Sequence, residues 1–148
     1  MTQRIALAEQ SAMIRHAVRV SLNRFDFEFI EASSGPELLE FLQNTSAHLC
    51  IFNEELPKLD LARLNHIIDD QEMPVLALSV PKPSGYGSSG FDCTLEIPFQ
   101  TQSLVEHVCY LLQLDVPDRD LYAPYAADVP LARQGNDVAK NDAEQTTE

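Results

Sequence analysis

The side chains able to do chemistry are few, and most lack partners at useful spacing. His16, His48, His66 and His107 are scattered, with no cysteine or acid at metal-ligand intervals, so they read as ordinary surface or core histidines. Cys50, Cys93 and Cys109 are odd in number and widely separated. Cys50 and Cys109 fall in apolar runs and read as small buried hydrophobes, while Cys93 follows a glycine-rich stretch with nothing nearby to lower its thiol pKa. Gly85, Gly87 and Gly90 do not form the Gly-x-Gly-x-x-Gly turn that cradles phosphate after a first strand, and they read as a flexible link. The remaining candidates stand where apolar runs end: Glu9 and Gln10, Asn53 followed by Glu54 and Glu55, and Ser79. In a strand-and-helix fold, groups at such ends converge at one edge of a sheet, where ligands bind.

The elements that would carry them alternate between strand and helix signals. Ile5-Ala6-Leu7-Ala8 is a short apolar run, and Ser11 can cap a helix whose inner stripe is Ile14, Ala17, Val18 and Leu22. Phe25, Phe27 and Phe29 alternate with acidic or polar residues, the period of a strand with one wetter face. Ser34 and Glu37 have capping-box spacing, with Leu38, Phe41 and Leu42 on one face of the helix they would start. Leu49-Cys50-Ile51-Phe52 ends at Asn53, and Leu61, Leu64, Ile67 and Ile68 mark a third helix after Pro57. Val75-Leu76-Ala77-Leu78 reads as an inner strand covered on both faces. A brief fifth strand near Cys93–Glu96 precedes a last helix with Leu104, Val105, Val108, Leu111 and Leu112 inside. Residues 80–91 hold too much proline, glycine and serine for a stable helix, so the fourth crossover is expected to be a loop or a single turn.

Five strands separated by helices predict an α/β domain with a mostly parallel sheet covered on both sides. At 148 residues with 45% apolar content, the chain suits one domain and a modest appendage. The domain is expected over residues 1–114. Residues 115–148 carry eight acids against three bases, so −5 of the net −13 charge lies there and −8 on the first 114 residues. That tail reads as acidic and largely disordered. Leu121, Tyr122 and Tyr125 interrupt it and, with Tyr86 and Phe91 in the preceding loop, are candidate partner-binding side chains. The negative charge argues against nucleic acid and anionic membrane surfaces. No run approaches the ~20 apolar residues of a membrane helix. The N-terminus lacks a basic-then-apolar leader, from which a cytoplasmic protein is expected.

The order of elements and their punctuation resembles the receiver domain of bacterial two-component response regulators, a flavodoxin-like (CheY-like) doubly wound five-stranded fold. The resemblance rests on Ile5-Ala6-Leu7-Ala8-Glu9-Gln10-Ser11, on Phe52-Asn53-Glu54-Glu55-Leu56-Pro57, on Pro74-Val75-Leu76-Ala77-Leu78-Ser79 and on Ile97-Pro98-Phe99. It implies that a carboxylate after the third strand would become an acyl phosphate, with Mg²⁺ held beside an acidic pair. On that implied map, Asn53 stands at the phosphoacceptor position, Glu9 and Gln10 at the acidic pair and Ile97 at the lysine. Thr94 stands at the switch aromatic, and Ser79 alone keeps the family's residue type. An amide cannot form the acyl phosphate, and one carboxylate without its neighbour holds Mg²⁺ weakly or not at all. Glu54 should point away from Asn53, because consecutive residues along a strand alternate faces.

The expectation is therefore a degenerate receiver that is not an enzyme, needs no cofactor and acts by binding signalling proteins; a homodimer is compatible with it. A second reading makes the vacated pocket at Glu9, Asn53, Ser79 and Ile97 a small-molecule sensor. A third, a conventionally phosphorylated receiver, is opposed by Asn53 and Ile97.

Overall fold

A computed structural model describes residues 2–80, 91 and 93–117. The strands are β1 (Gln3–Ala8), β2 (Phe27–Ala32), β3 (Leu49–Asn53), β4 (Val75–Ser79) and β5 (Thr94–Glu96). The helices are α1 (Ala12–Ser21), α2 (Gly35–Asn44), α3 (Leu61–Gln71) and α4 (Thr101–Leu112). All four strand pairings are parallel, in the order β2-β1-β3-β4-β5. This is the doubly wound arrangement expected from the sequence, and it places ligand-facing loops at the carboxyl ends of the strands. Met1–Val116 forms one compact unit. Among the described residues no helix lies between β4 and β5; the expected loop at 80–91 and the acidic tail fall almost wholly outside the described residues.

Two cores flank the sheet. On one face Ala6, Ala8, Ala32, Cys50, Phe52 and Ala77 meet Leu38, Leu39 and Leu42 of α2 and Leu64 of α3. The alternate residues Ile5, Leu7, Leu49, Ile51, Leu76 and Leu78 are fully buried, as are Val18, Leu104, Val105 and Val108 of α1 and α4. Every residue of β3 is buried, as the central strand of a twice-covered sheet must be. Burial pushes the Cys50 thiol up to about 12, which suits an inert packing residue. Burial also raises the Cys109 thiol, with Asp115 and Glu106 adding to it.

Two expected inner positions prove exposed. Ala17 faces solvent because α1 is turned so that Val18, Ser21 and Leu22 point inward while Arg15 and Arg19 reach Glu31 at the end of β2. Leu61, in the first turn of α3, is 40% exposed. Leu39, absent from the expected stripe, is buried.

The helix starts follow local chemistry. Ser11 Oγ accepts from Ile14 N (3.3 Å), and Asp60 Oδ1 accepts from Arg63 N (3.1 Å). Ser34 Oγ accepts from Glu37 N at 3.5 Å, one half of the expected capping box. The other half is displaced by one residue: Glu37 Oε1 accepts from Ser33 N (2.7 Å) and Ser33 Oγ (3.0 Å) instead of from Ser34 N.

The Ser33 backbone bond, then its hydroxyl and the charge of Arg15, hold the Glu37 carboxyl below its ordinary range against slight desolvation. A depressed folded-state pKa stabilises above the unfolded value, and that stability disappears as pH falls through the folded value. The stability difference between wild type and Glu37→Gln should therefore be constant near neutrality and change as pH drops below about 4. Urea melts of both proteins across that range check it; a pH-independent difference would contradict this account.

Candidate functional site

The carboxyl ends of β1 and β3 are neighbours in the sheet, with Ala8 opposite Phe52. One residue beyond that pair stand two polar residues, Glu9 in the turn after β1 and Asn53 at the end of β3, and these two meet. Asn53 Nδ2 donates to Glu9 Oε1 at 2.6 Å in a buried hydrogen bond. Glu9 is 3% exposed and Asn53 9%. The second carboxylate oxygen is also engaged, since Ser11 N donates to Glu9 Oε2 at 2.7 Å. Asn53 Oδ1 accepts from Glu55 N at 2.8 Å, which fixes which end of the amide faces Glu9. A buried carboxylate is tolerable where donors satisfy both oxygens, as they do here.

The loop bearing Glu9 is held from its other side. Arg15 Nη1 donates to the carbonyls of Glu9 and Gln10, the latter at 3.2 Å, while its Nε donates to Glu31 Oε1 at 2.8 Å. Glu31 accepts from Arg19 through its other oxygen, also at 2.8 Å. Sequence reasoning missed Arg15. Its partners lie five, six and sixteen residues away, in the turn after β1 and in β2, and only the β1–β2 pairing brings them together.

The other expected site residues are spread along the same edge. Gln10 is exposed and turned to solvent. Ser79, half-buried at the end of β4, accepts through its carbonyl from Ile97 N at 2.8 Å, so the hydroxyl position and the Ile97 position adjoin. Thr94 pairs with Ala77, two residues short of that edge, and is exposed. Glu54 donates its backbone N–H to Leu78 O and does not contact Glu9 or Asn53 through any described hydrogen bond. Its Oε2 is buried without a hydrogen-bond partner among the described residues, a placement that costs free energy. Phe91 is half-buried with its ring edge-on to Phe52, centroids 5.1 Å apart, so only part of it is left for a partner. Tyr86, Leu121, Tyr122 and Tyr125 lie outside the described residues.

A divalent cation is ill served by this donor set. A hard cation wants several oxygen ligands, carboxylates foremost. Glu9 is the carboxylate at the meeting point, and both of its oxygens already accept hydrogen bonds. Asn53 turns an amide N–H toward it, and no group of three His, Cys, Asp or Glu side chains suited to a metal occurs among the described residues.

No protein-family model matches the chain, and no curated protein matches it. Solved structures do. A response regulator from Chloroflexus aurantiacus superposes with a TM-score of 0.66 at 20% identity, covering 76% of this chain and 99% of that one. A response regulator receiver protein from Sinorhizobium medicae gives 0.63 at 21% identity, covering 76% and 95%. The receiver domain of a Francisella response regulator gives 0.62 at 22%, covering 75% and 97%. At these identities the likeness is one of architecture. With the strand order and the all-parallel pairing, it shows that this chain has the flavodoxin-like fold of response-regulator receivers.

Proposed function

We propose that this protein is a receiver-like signalling component of a two-component or related pathway, acting through protein–protein contacts without being phosphorylated. The observation that carries the reading is the buried bond from Asn53 Nδ2 to Glu9 Oε1. It puts an amide donor, tied to the remaining carboxylate, where a receiver would need a free nucleophilic carboxylate beside a cation.

The electrostatics of the edge agree. A phosphoryl donor is an anion, and its attack needs positive charge to neutralise the oxygens. The edge presents Glu55 and Glu96 as exposed acids, and the half-buried Ile97 offers no cation where the fold would place a lysine. Such a rim repels the donor. The same reading makes Mg²⁺ dispensable and assigns the protein no catalytic step. Signalling proteins are the partners it implies, by way of the surface after β4 and of α4. No helix among the described residues is long and apolar enough to cross a membrane.

The test treats the full chain with acetyl phosphate and Mg²⁺ and weighs it by intact mass. No phosphoryl adduct is expected, and beryllium fluoride with Mg²⁺ should leave the amide NMR spectrum unmoved. A labile phosphoryl adduct would overturn the reading. Affinity capture with and without acetyl phosphate should then recover the same signalling protein in equal yield; recovery only after treatment would also refute it.

A further inference from the structure

We propose that Arg15 is a positioning residue that keeps the Glu9 carboxylate turned inward on Asn53, so that the closed pocket is actively held and does not follow from composition alone. The inference rests on the phosphorylation-independent reading and supplies its mechanical cause.

Glu9 lies in the short turn between β1 and α1, where Glu9 and Gln10 each leave a carbonyl to be satisfied. Arg15, one turn into α1, meets both carbonyls with one end of its guanidinium. With its Nε it holds Glu31 at the far end of β2, an element fixed by six residues of β1 pairing. Five donors on a rigid planar fork allow one side chain to join three acceptors in this way, which a lysine ammonium on a flexible stem cannot reproduce. The Arg15 side chain is only 18% exposed, so water competes little for these bonds.

The main chain of the turn is thus pinned between the helix and the sheet edge. With Glu9 N also donating to Ala32 O at 2.9 Å, the Glu9 backbone is fixed at both its N–H and its carbonyl, and its side chain is directed at β3. Released from Arg15, the turn regains conformational freedom, and the carboxylate can exchange its buried amide for water. Glu31 is the outer anchor and Arg19 its second support.

Hydrogen exchange and side-chain NMR on the full chain separate positioning from plain stability. In Arg15→Gln, exchange at the Ser11 amide, which reports the Glu9 Oε2 bond, should rise about tenfold more than exchange at the core Ile51 amide. The Asn53 side-chain NH₂ resonances should move to the positions of a solvated amide. Arg15→Lys should restore neither. Glu31→Gln leaves Arg15 in place but weakens its anchor, and it should produce the same pattern to a smaller degree. This variant decides the matter if Arg15→Gln does not fold. Unchanged Ser11 exchange and Asn53 resonances, or a parallel rise at Ser11 and Ile51, would overturn the proposal. Neither result bears on whether the wild type accepts a phosphoryl group, so the two failures are distinguishable.

Discussion

Replacing Asn53 by aspartate, the single change that would place a nucleophilic carboxylate at the end of β3, is expected to destabilise the protein by about 3–5 kcal/mol near neutral pH, the cost of leaving a buried charge without its partner. The substitution exchanges a donor for an acceptor at 2.6 Å from Glu9 Oε1, in a site where neither residue exceeds 9% exposure. Two ionised carboxyls cannot occupy it, so one must hold a proton and its folded-state pKa rises. The sign then follows. A group whose pKa is raised on folding is accommodated below its unfolded value, near 4, and destabilises increasingly as pH climbs through the folded value. The deficit of Asn53→Asp relative to wild type should be small at pH ~4 and should grow to its full size by pH ~7. Urea denaturation at both pH values measures it. A deficit equal at the two would mean that the residues separate and hydrate. The variant should also fail to take a phosphoryl group from acetyl phosphate, since Ile97 still offers no cation.

The second large effect concerns a glycine packed directly against backbone. Gly35 opens α2, and its N–H donates to Pro57 O at 2.8 Å. A Cβ built there would stand 2.5 Å from both Leu59 Cα and Lys58 O, and 2.8 Å from Leu59 N. All three are main-chain atoms of the loop that follows β3, so no side chain can swing aside. Helix propensity alone would favour alanine by roughly 1 kcal/mol. The contact should reverse that, and Gly35→Ala is expected to lose about 3 kcal/mol through overpacking. Thermal and urea melts of the two proteins decide the sign; a gain in stability would show that the loop moves away at little cost.

These two positions show where the sequence was readable. Gly35 looks like an ordinary helix-start glycine, because the segment that approaches it is more than twenty residues downstream. Asn53 was recognisable as the end of a strand because the apolar run before it is continuous and Pro57 closes it. The Ser11 cap and the inner character of β4 were similarly legible, since each depends on a short stretch of chain, whereas the doubly wound strand arrangement followed from the resemblance alone. What could not be read was the rotation of α1, which exposes Ala17 and frees Arg15 for the turn after β1. That rotation buries Val18 and Leu22 and brings Arg15 and Arg19 to Glu31 on β2, partners that no local pattern joins. The choice of Ser33 over Ser34 by Glu37 belongs to the same class, because both acceptor geometries share one sequence pattern. For the site, the residue types were visible but their pairing was not. Glu9 and Asn53 lie 44 positions apart, and only the β1–β3 alignment makes them partners.

That separation also bears on how the chain avoids misfolding. Strands covered on both faces carry no in–out alternation, so Ile5-Ala6-Leu7-Ala8 could slide against Leu49-Cys50-Ile51-Phe52 by one residue and still bury only apolar groups. The polar pair just beyond them forbids it. A slip in either direction would set Glu9 against Phe52 or against the chain past Asn53, leaving a buried carboxylate oxygen without its donor. The Glu9–Asn53 pair thus acts as a register pin: it penalises the neighbouring alignments of the two central strands and leaves one native pairing.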